Sequence, residues 1–192
     1  MGVMLNLQGC PWRAVAWVRM WREVHRGGRM PRMSEEIKDR FLQLPIPGII
    51  ATLRSNGLPY TVPIWWLHID GEFWITGTHS RIWCKQLKKD PRASLCIENG
   101  GDLPGHVGVD GTVELYELPS FDIWPISRQL AEKYVGRGDP SRDADVEAFF
   151  SNMQTEPRLL FKLIPTVWRA IDMSVYEGKK ADRDFQAEKK LS

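Results

Sequence analysis

The sequence predicts an α+β protein, mainly β, organised as a six-stranded antiparallel barrel with short flanking helices. Three observations predict it. Runs rich in β-branched and aromatic residues recur at strand period between residues 49 and 173. The dipeptides Asn56-Gly57 and Asp70-Gly71 separate the first of these runs, as tight hairpins require. Helical spacing of apolar residues is confined to short stretches, which leaves the helices as flanking pieces. One domain is the default at 192 residues, with length enough to bury a core.

Taken in order, residues 1–32 differ from the rest. Trp17, Trp21 and Val24 share one helical face, with Arg13, Arg19, Arg22 and Arg26 around the others. Such an Arg-rich, acid-poor stretch suits a transit peptide or a membrane-surface helix. The reading preferred here is a disordered or non-native extension upstream of a start at Met30 or Met33. Ser34 then caps a helix with Glu35 and Glu36 in its first turn, Ile37, Phe41 and Leu44 on one face, and Pro45 at its end. Strands follow at Ile49–Arg54, Tyr60–His68 and Glu72–Thr76. Pro63 cannot donate to a ladder, so its strand lies on an edge or bulges there. Trp65 and Trp66 are adjacent and point to opposite faces, one into the core and the other needing another apolar partner. That partner is a ligand ring, a second subunit or a loop of the same chain.

A polar loop Thr76–Ser80 and a short basic helix opening at Arg81 precede strand Arg92–Glu98. Val107–Tyr116 is a further strand, with a turn or bulge at Asp110-Gly111. Two helical stripes follow: Ile126, Leu130 and Tyr134, stopped by Gly136, then Val146, Phe149, Phe150 and Met153, all assigned to core. Arg158–Ile164 and Val167–Met173 return to strand with Pro165 at the corner. The domain therefore spans 33–176, and 177–192 reads as a charged flexible tail.

Composition narrows the function classes. The net charge of +2 is uneven: residues 1–32 carry +5, which leaves the remainder at −3. A mildly acidic body argues against nucleic acid as partner. No apolar run is long enough to span a bilayer. Three cysteines without a C-x-x-C pair indicate neither a disulfide framework nor zinc, and fit a reducing cytoplasm. His25, His68, His79 and His106 lack metal-ligand spacing. Nine tryptophans are many for this length and point to a ligand site or subunit interface beyond the core.

The stretch from Gly71 to Glu98 holds the candidate site. The loop Thr76, Gly77, Thr78, His79 and Ser80 supplies hydroxyls and free backbone N–H groups, and Arg81 and Lys85 add two cations on one helical face. This combination suits a phosphate; a solvated loop before a charged helix is the other reading. In order and spacing, ATLRSNGLPYTVPIWWLHIDGEFWITGTHSR, LKKDPRASLCIE, VGVDGTVEL and KLIPTVWRAID resemble the pyridoxamine 5′-phosphate oxidase-like family of flavin-binding split barrels. The resemblance runs from about Ser34 to Met173. It implies a homodimer, one flavin at each interface, and hydride transfer between the flavin and a small organic substrate. Pro63, Ile64, Trp65 and Trp66 would frame the ring; Thr76, Gly77, Thr78, Ser80, Arg81 and Lys85 would hold the phosphate end. Two positions depart from the oxidases proper: Ile82 stands where a Lys follows the loop Arg, and Leu67 replaces the lysine closing the ring-binding strand. FMN is the favoured cofactor, coenzyme F420 the alternative, and a non-catalytic flavin- or haem-binding protein the rival from another class. No catalytic residue is assigned.

Overall fold

The computed structural model describes residues 31–176. The expectations for the tail at 177–192, and for 1–32 up to Met30, lie outside the described residues. The elements are α1 (Glu35–Gln43), β1 (Gly48–Leu53), β2 (Pro59–Ile64), β3 (Leu67–Ile69), β4 (Glu72–Thr78), α2 (Ile82–Leu87), β5 (Arg92–Asn99), β6 (Gly105–Tyr116), α3 (Trp124–Ala131), α4 (Asp143–Gln154) and β7 (Arg158–Asp172). A π-helical turn (Glu132–Gly136) follows α3 directly.

All seven strands lie in one antiparallel sheet of order β2-β1-β5-β6-β7-β4-β3. The topology dictates a curl. β2 and β3 are the two ends of the sheet, yet only Trp65 and Trp66 separate them in the chain. Three peptide steps reach at most about 11 Å, whereas seven strands laid flat would hold their outer members roughly 29 Å apart. The sheet must therefore close on itself into a barrel, with an unladdered seam between β2 and β3.

Tyr134, from the π-helical turn, fills that seam. Its hydroxyl accepts the Trp66 backbone N–H at 3.2 Å and has the Ile46 carbonyl at 3.0 Å and that of Trp66 at 3.2 Å for its own proton. The break in the ladder is thus met by one side chain. Trp66, fully buried, donates its indole N–H to the Ile46 carbonyl at 2.9 Å. Phe41, Ile50, Phe73, Ile75, Leu95 and Phe161 fill the barrel around it.

Local sequence accounts for most elements. Ser34 accepts from Ile37 N, and Glu35 and Glu36 sit in the first turn of α1. Asp70 and Gly71 both take positive φ, 52° and 86°, the pattern of a type I′ hairpin turn. β2 is an edge strand, as Pro63 requires. At Asp110/Gly111 the β6–β7 register slips and Thr166 is left over, a bulge that bends both long strands. Gly111 is needed there, because a Cβ would sit 2.9 Å from the Ile164 carbonyl carbon.

The structure corrects several expectations. There are seven strands rather than six: the run Tyr60–His68 breaks into β2 and β3 at the tryptophan pair, while Arg158–Asp172 is continuous because the bulge bends it without ending it. β4 runs on to Thr78, so Gly77 and Thr78 belong to a strand paired with β7 and not to a loop. The helical segment after α3 ends at Gly136, and the left-handed residue that caps it is Arg137, at φ 53°. Among the described residues no helix is long and apolar enough to cross a membrane.

Candidate functional site

A groove of about 360 Å³ opens where the end of β2, the end of β4, the start of β7 and α4 converge. Pro47, Pro63, Ile64, Trp65 and Phe149 make one side; Thr76, Arg81, Trp83 and Arg158 make the other. The size is that of a small-ligand pocket, apolar with a few polar groups.

The apolar side is held from behind. Trp65 stacks on Tyr134 with centroids 4.7 Å apart and planes within 2°, and packs tilted against Phe149 at 5.3 Å. Tyr134 therefore both closes the seam and sets the orientation of Trp65. Burial pushes the Tyr134 phenol well above its ordinary pKa, so it remains a neutral hydroxyl.

The cationic side is less complete. Arg81 is the N-cap residue of α2, a helix of only six residues, and makes no ion pair among the described residues. Arg158 pairs with Glu156 through Nη2 and reaches Thr76 Oγ1 from Nη1 at 3.5 Å. Burial lowers its pKa, Glu156 works against this, and the nearby Arg81 lowers it further. Arg158 Nε and Trp83 Nε1 are buried without a partner. An unmet buried donor costs about 1–3 kcal/mol, so this wall has an unsatisfied demand for an acceptor.

The structure brings Pro63, Ile64, Trp65, Thr76 and Arg81 to one groove. It places the other candidates elsewhere. Trp66 is wholly inside the core, because the two tryptophans straddle the seam and only one can face out. Gly77 is buried under α2, where a Cβ would press into Cys84 Sγ and lie 2.8 Å from Trp83. Thr78 is buried with its hydroxyl 3.0 Å from that of Ser80, which is exposed and off the groove. Lys85 is exposed and lies outside the lining as well, since it follows the N-cap by a full turn.

Sequence reasoning missed Arg158, Trp83, Pro47 and Phe149. Phe149 is on the apolar stripe of α4, yet Val146, Phe150 and Met153 take the buried positions and Phe149 turns to Trp65. Arg158 opens a strand more than seventy residues after the loop it joins, and no local signal marks it.

The lining contains no Asp, Glu, His or Cys. Cys84, next to the groove, is held by burial at about 12 and is no nucleophile. No metal-binding cluster of His, Cys, Asp and Glu exists among the described residues. These side chains can grip a planar ligand with an anionic end; they supply no acid, base or nucleophile of their own.

The chain matches the family model described as pyridoxamine 5′-phosphate oxidase over residues 33–172. Among solved structures it is similar to the conserved hypothetical protein Rv2991 from Mycobacterium tuberculosis, at 25% identity and a TM-score of 0.63 over 77% of this chain and 90% of that one. An F420 reductase shares the fold at 21% identity and a TM-score of 0.51, covering 68% of this chain and 94% of that one. The haem storage protein HutZ from Vibrio cholerae shares it at 17% identity and 0.54, covering 73% and 95%. No curated protein matches.

Proposed function

The chain belongs to the pyridoxamine 5′-phosphate oxidase family, and from that premise we propose that its groove holds a flavin-type cofactor, FMN, and that the protein is an oxidoreductase acting on a small organic substrate. One observation carries the reading: a proline-tryptophan surface and arginines with unmet donors line one groove. The residues fit such a group. Pro63, Ile64 and Trp65 would lie along its ring, and Arg81 and Thr76 would hold its phosphate end. When bound, a flavin supplies two-electron redox chemistry that the chain's own side chains lack.

The chain's part is to bind, orient and exclude water. Tyr134 fixes the Trp65 plane before any ligand arrives, which lowers the entropy lost on binding. Charge-assisted hydrogen bonds contribute about 1.5–3 kcal/mol each, and micromolar affinity needs roughly 8 kcal/mol. The phosphate grip alone falls short, so ring burial against Pro63, Ile64 and Trp65 must supply the difference.

A homodimer is part of the proposal. Ile49, opposite Pro63 in the β1–β2 ladder, is 44% exposed. A second copy laid there would cover this apolar strip and deepen the groove. Sedimentation showing only monomer at micromolar concentration would remove this element.

Coenzyme F420 is the second reading. Lys85 and Lys89 on and just after α2 are exposed and make no ion pair among the described residues, which suits an anionic tail leading out of the groove. The visible spectrum of the protein as purified separates the two chromophores. A colourless protein that takes up neither on titration rules out both, and a coloured one that no reductant turns over points to a store rather than an enzyme.

A further inference from the structure

We propose that Arg158 is the second cation of the groove's oxyanion site and binds a phosphate monoester together with Arg81. The identity of the whole ligand rests on the flavin reading above; the anion site does not.

Arg158 stands opposite Thr78 in the β4–β7 ladder, so the chain end of one strand delivers it beside the Thr78–Arg81 corner. Its side chain is only 10% exposed. A guanidinium offers five N–H donors in a rigid fork. Glu156 takes Nη2, Thr76 is at the limit of reach from Nη1, and Nε has no partner among the described residues. Burying a charged group this deeply is favourable only when its donors are met.

The charge count of the groove points the same way. Arg81 and Arg158 bring two positive charges, and among the described residues Glu156 is the one carboxylate paired with either. The excess charge sits next to Arg81, whose proximity already lowers the Arg158 pKa. A bound oxyanion removes that repulsion and supplies acceptors to both forks. Trp83 Nε1, the other orphan donor in the lining, adds a neutral N–H to the same wall.

Wild type, Arg158→Gln and Arg158→Lys are titrated with FMN and with riboflavin, which lacks the phosphate. In parallel, the Arg Nε–H signals of ¹⁵N-labelled protein are followed as inorganic phosphate is added. Wild type should bind FMN more tightly than riboflavin. Arg158→Gln should lose about tenfold or more of its FMN affinity while keeping its riboflavin affinity, as the loss of one charge-assisted contact implies. Arg158→Lys should recover part of the loss. The Nε–H signal that is missing from Arg158→Gln should shift with phosphate in wild type. An unchanged FMN-to-riboflavin ratio in Arg158→Gln, or an Arg158 Nε–H indifferent to phosphate, overturns the proposal. Retained riboflavin affinity shows that the variant is folded; if Arg158→Gln does not fold, Arg158→Lys and the wild-type phosphate titration decide. A wild type that binds neither flavin, but whose Arg158 signal follows phosphate, sinks the flavin reading and upholds the anion site.

Discussion

The two walls of the groove are built on opposite principles. At the β2–β3 seam the chain supplies its own partners: the Trp66 N–H and indole have acceptors, Tyr134 is bonded, and Trp65 is stacked from behind. At the β4–α2 corner, two arginines and a tryptophan leave donors unmet or charge uncompensated. The first wall is complete without a ligand and serves as a rigid platform. The second keeps donors without a partner among the described residues, so changes at the seam should act on stability and changes to the arginines of the corner on binding.

The largest effect tests the seam. Tyr134→Ala removes a buried ring, the stacking partner of Trp65 and the acceptor for Trp66 N–H; it should cost about 3–5 kcal/mol in chemical denaturation. Were stability to fall by less than about 1 kcal/mol, the seam would not be the clasp described. Next, Arg81→Ala should weaken FMN binding by about 1.5–3 kcal/mol per lost contact and leave the melting temperature nearly unchanged. Equal losses in both would erase the contrast between the walls. Gly77→Ala should destabilise by about 1–3 kcal/mol through overpacking against Cys84 and Trp83, with flavin affinity lowered only as far as α2 moves.

The smallest effect is a pH dependence. Lys133 Nζ lies 3.4 Å from the Trp66 ring centroid and donates to the Leu42 carbonyl at 3.2 Å. Burial pulls its pKa down from 10.5 to about 7, while the ring face and the carbonyl favour the charged form. Between those two values the unfolded chain holds the proton more tightly than the folded one. Stability should therefore rise with pH from about 7 towards 10.5. Lys133→Met should flatten that rise, read as melting temperature against pH. A slope identical to wild type would show that ring and carbonyl offset the burial.

Much of the fold was legible because its signals are local. The Ser34 cap, the Asp70-Gly71 turn, the edge placement required by Pro63 and the irregularity at Asp110-Gly111 each follow from residues a few positions apart. The site was legible only in halves. Pro63, Ile64, Trp65, Thr76 and Arg81 stand within or just after two neighbouring hairpins and line one groove. Lys85 was chosen because it is near Arg81 in sequence, yet one turn of a short helix carries it off the groove. Trp65 and Trp66 could not be told apart, because alternation says that they diverge and not which one faces inward.

By itself the sequence determined the strand period, the turns, the caps and the side-chain chemistry of two segments that line the groove, since propensity and side-chain alternation act over a few residues. Only the tertiary structure decided that Tyr134 locks the seam, that Trp66 is core, and that Arg158 meets Arg81 across β4 and β7. Those outcomes depend on how far a seven-stranded sheet curls and on the register of strands some eighty residues apart. Both are set by the packing of the whole barrel.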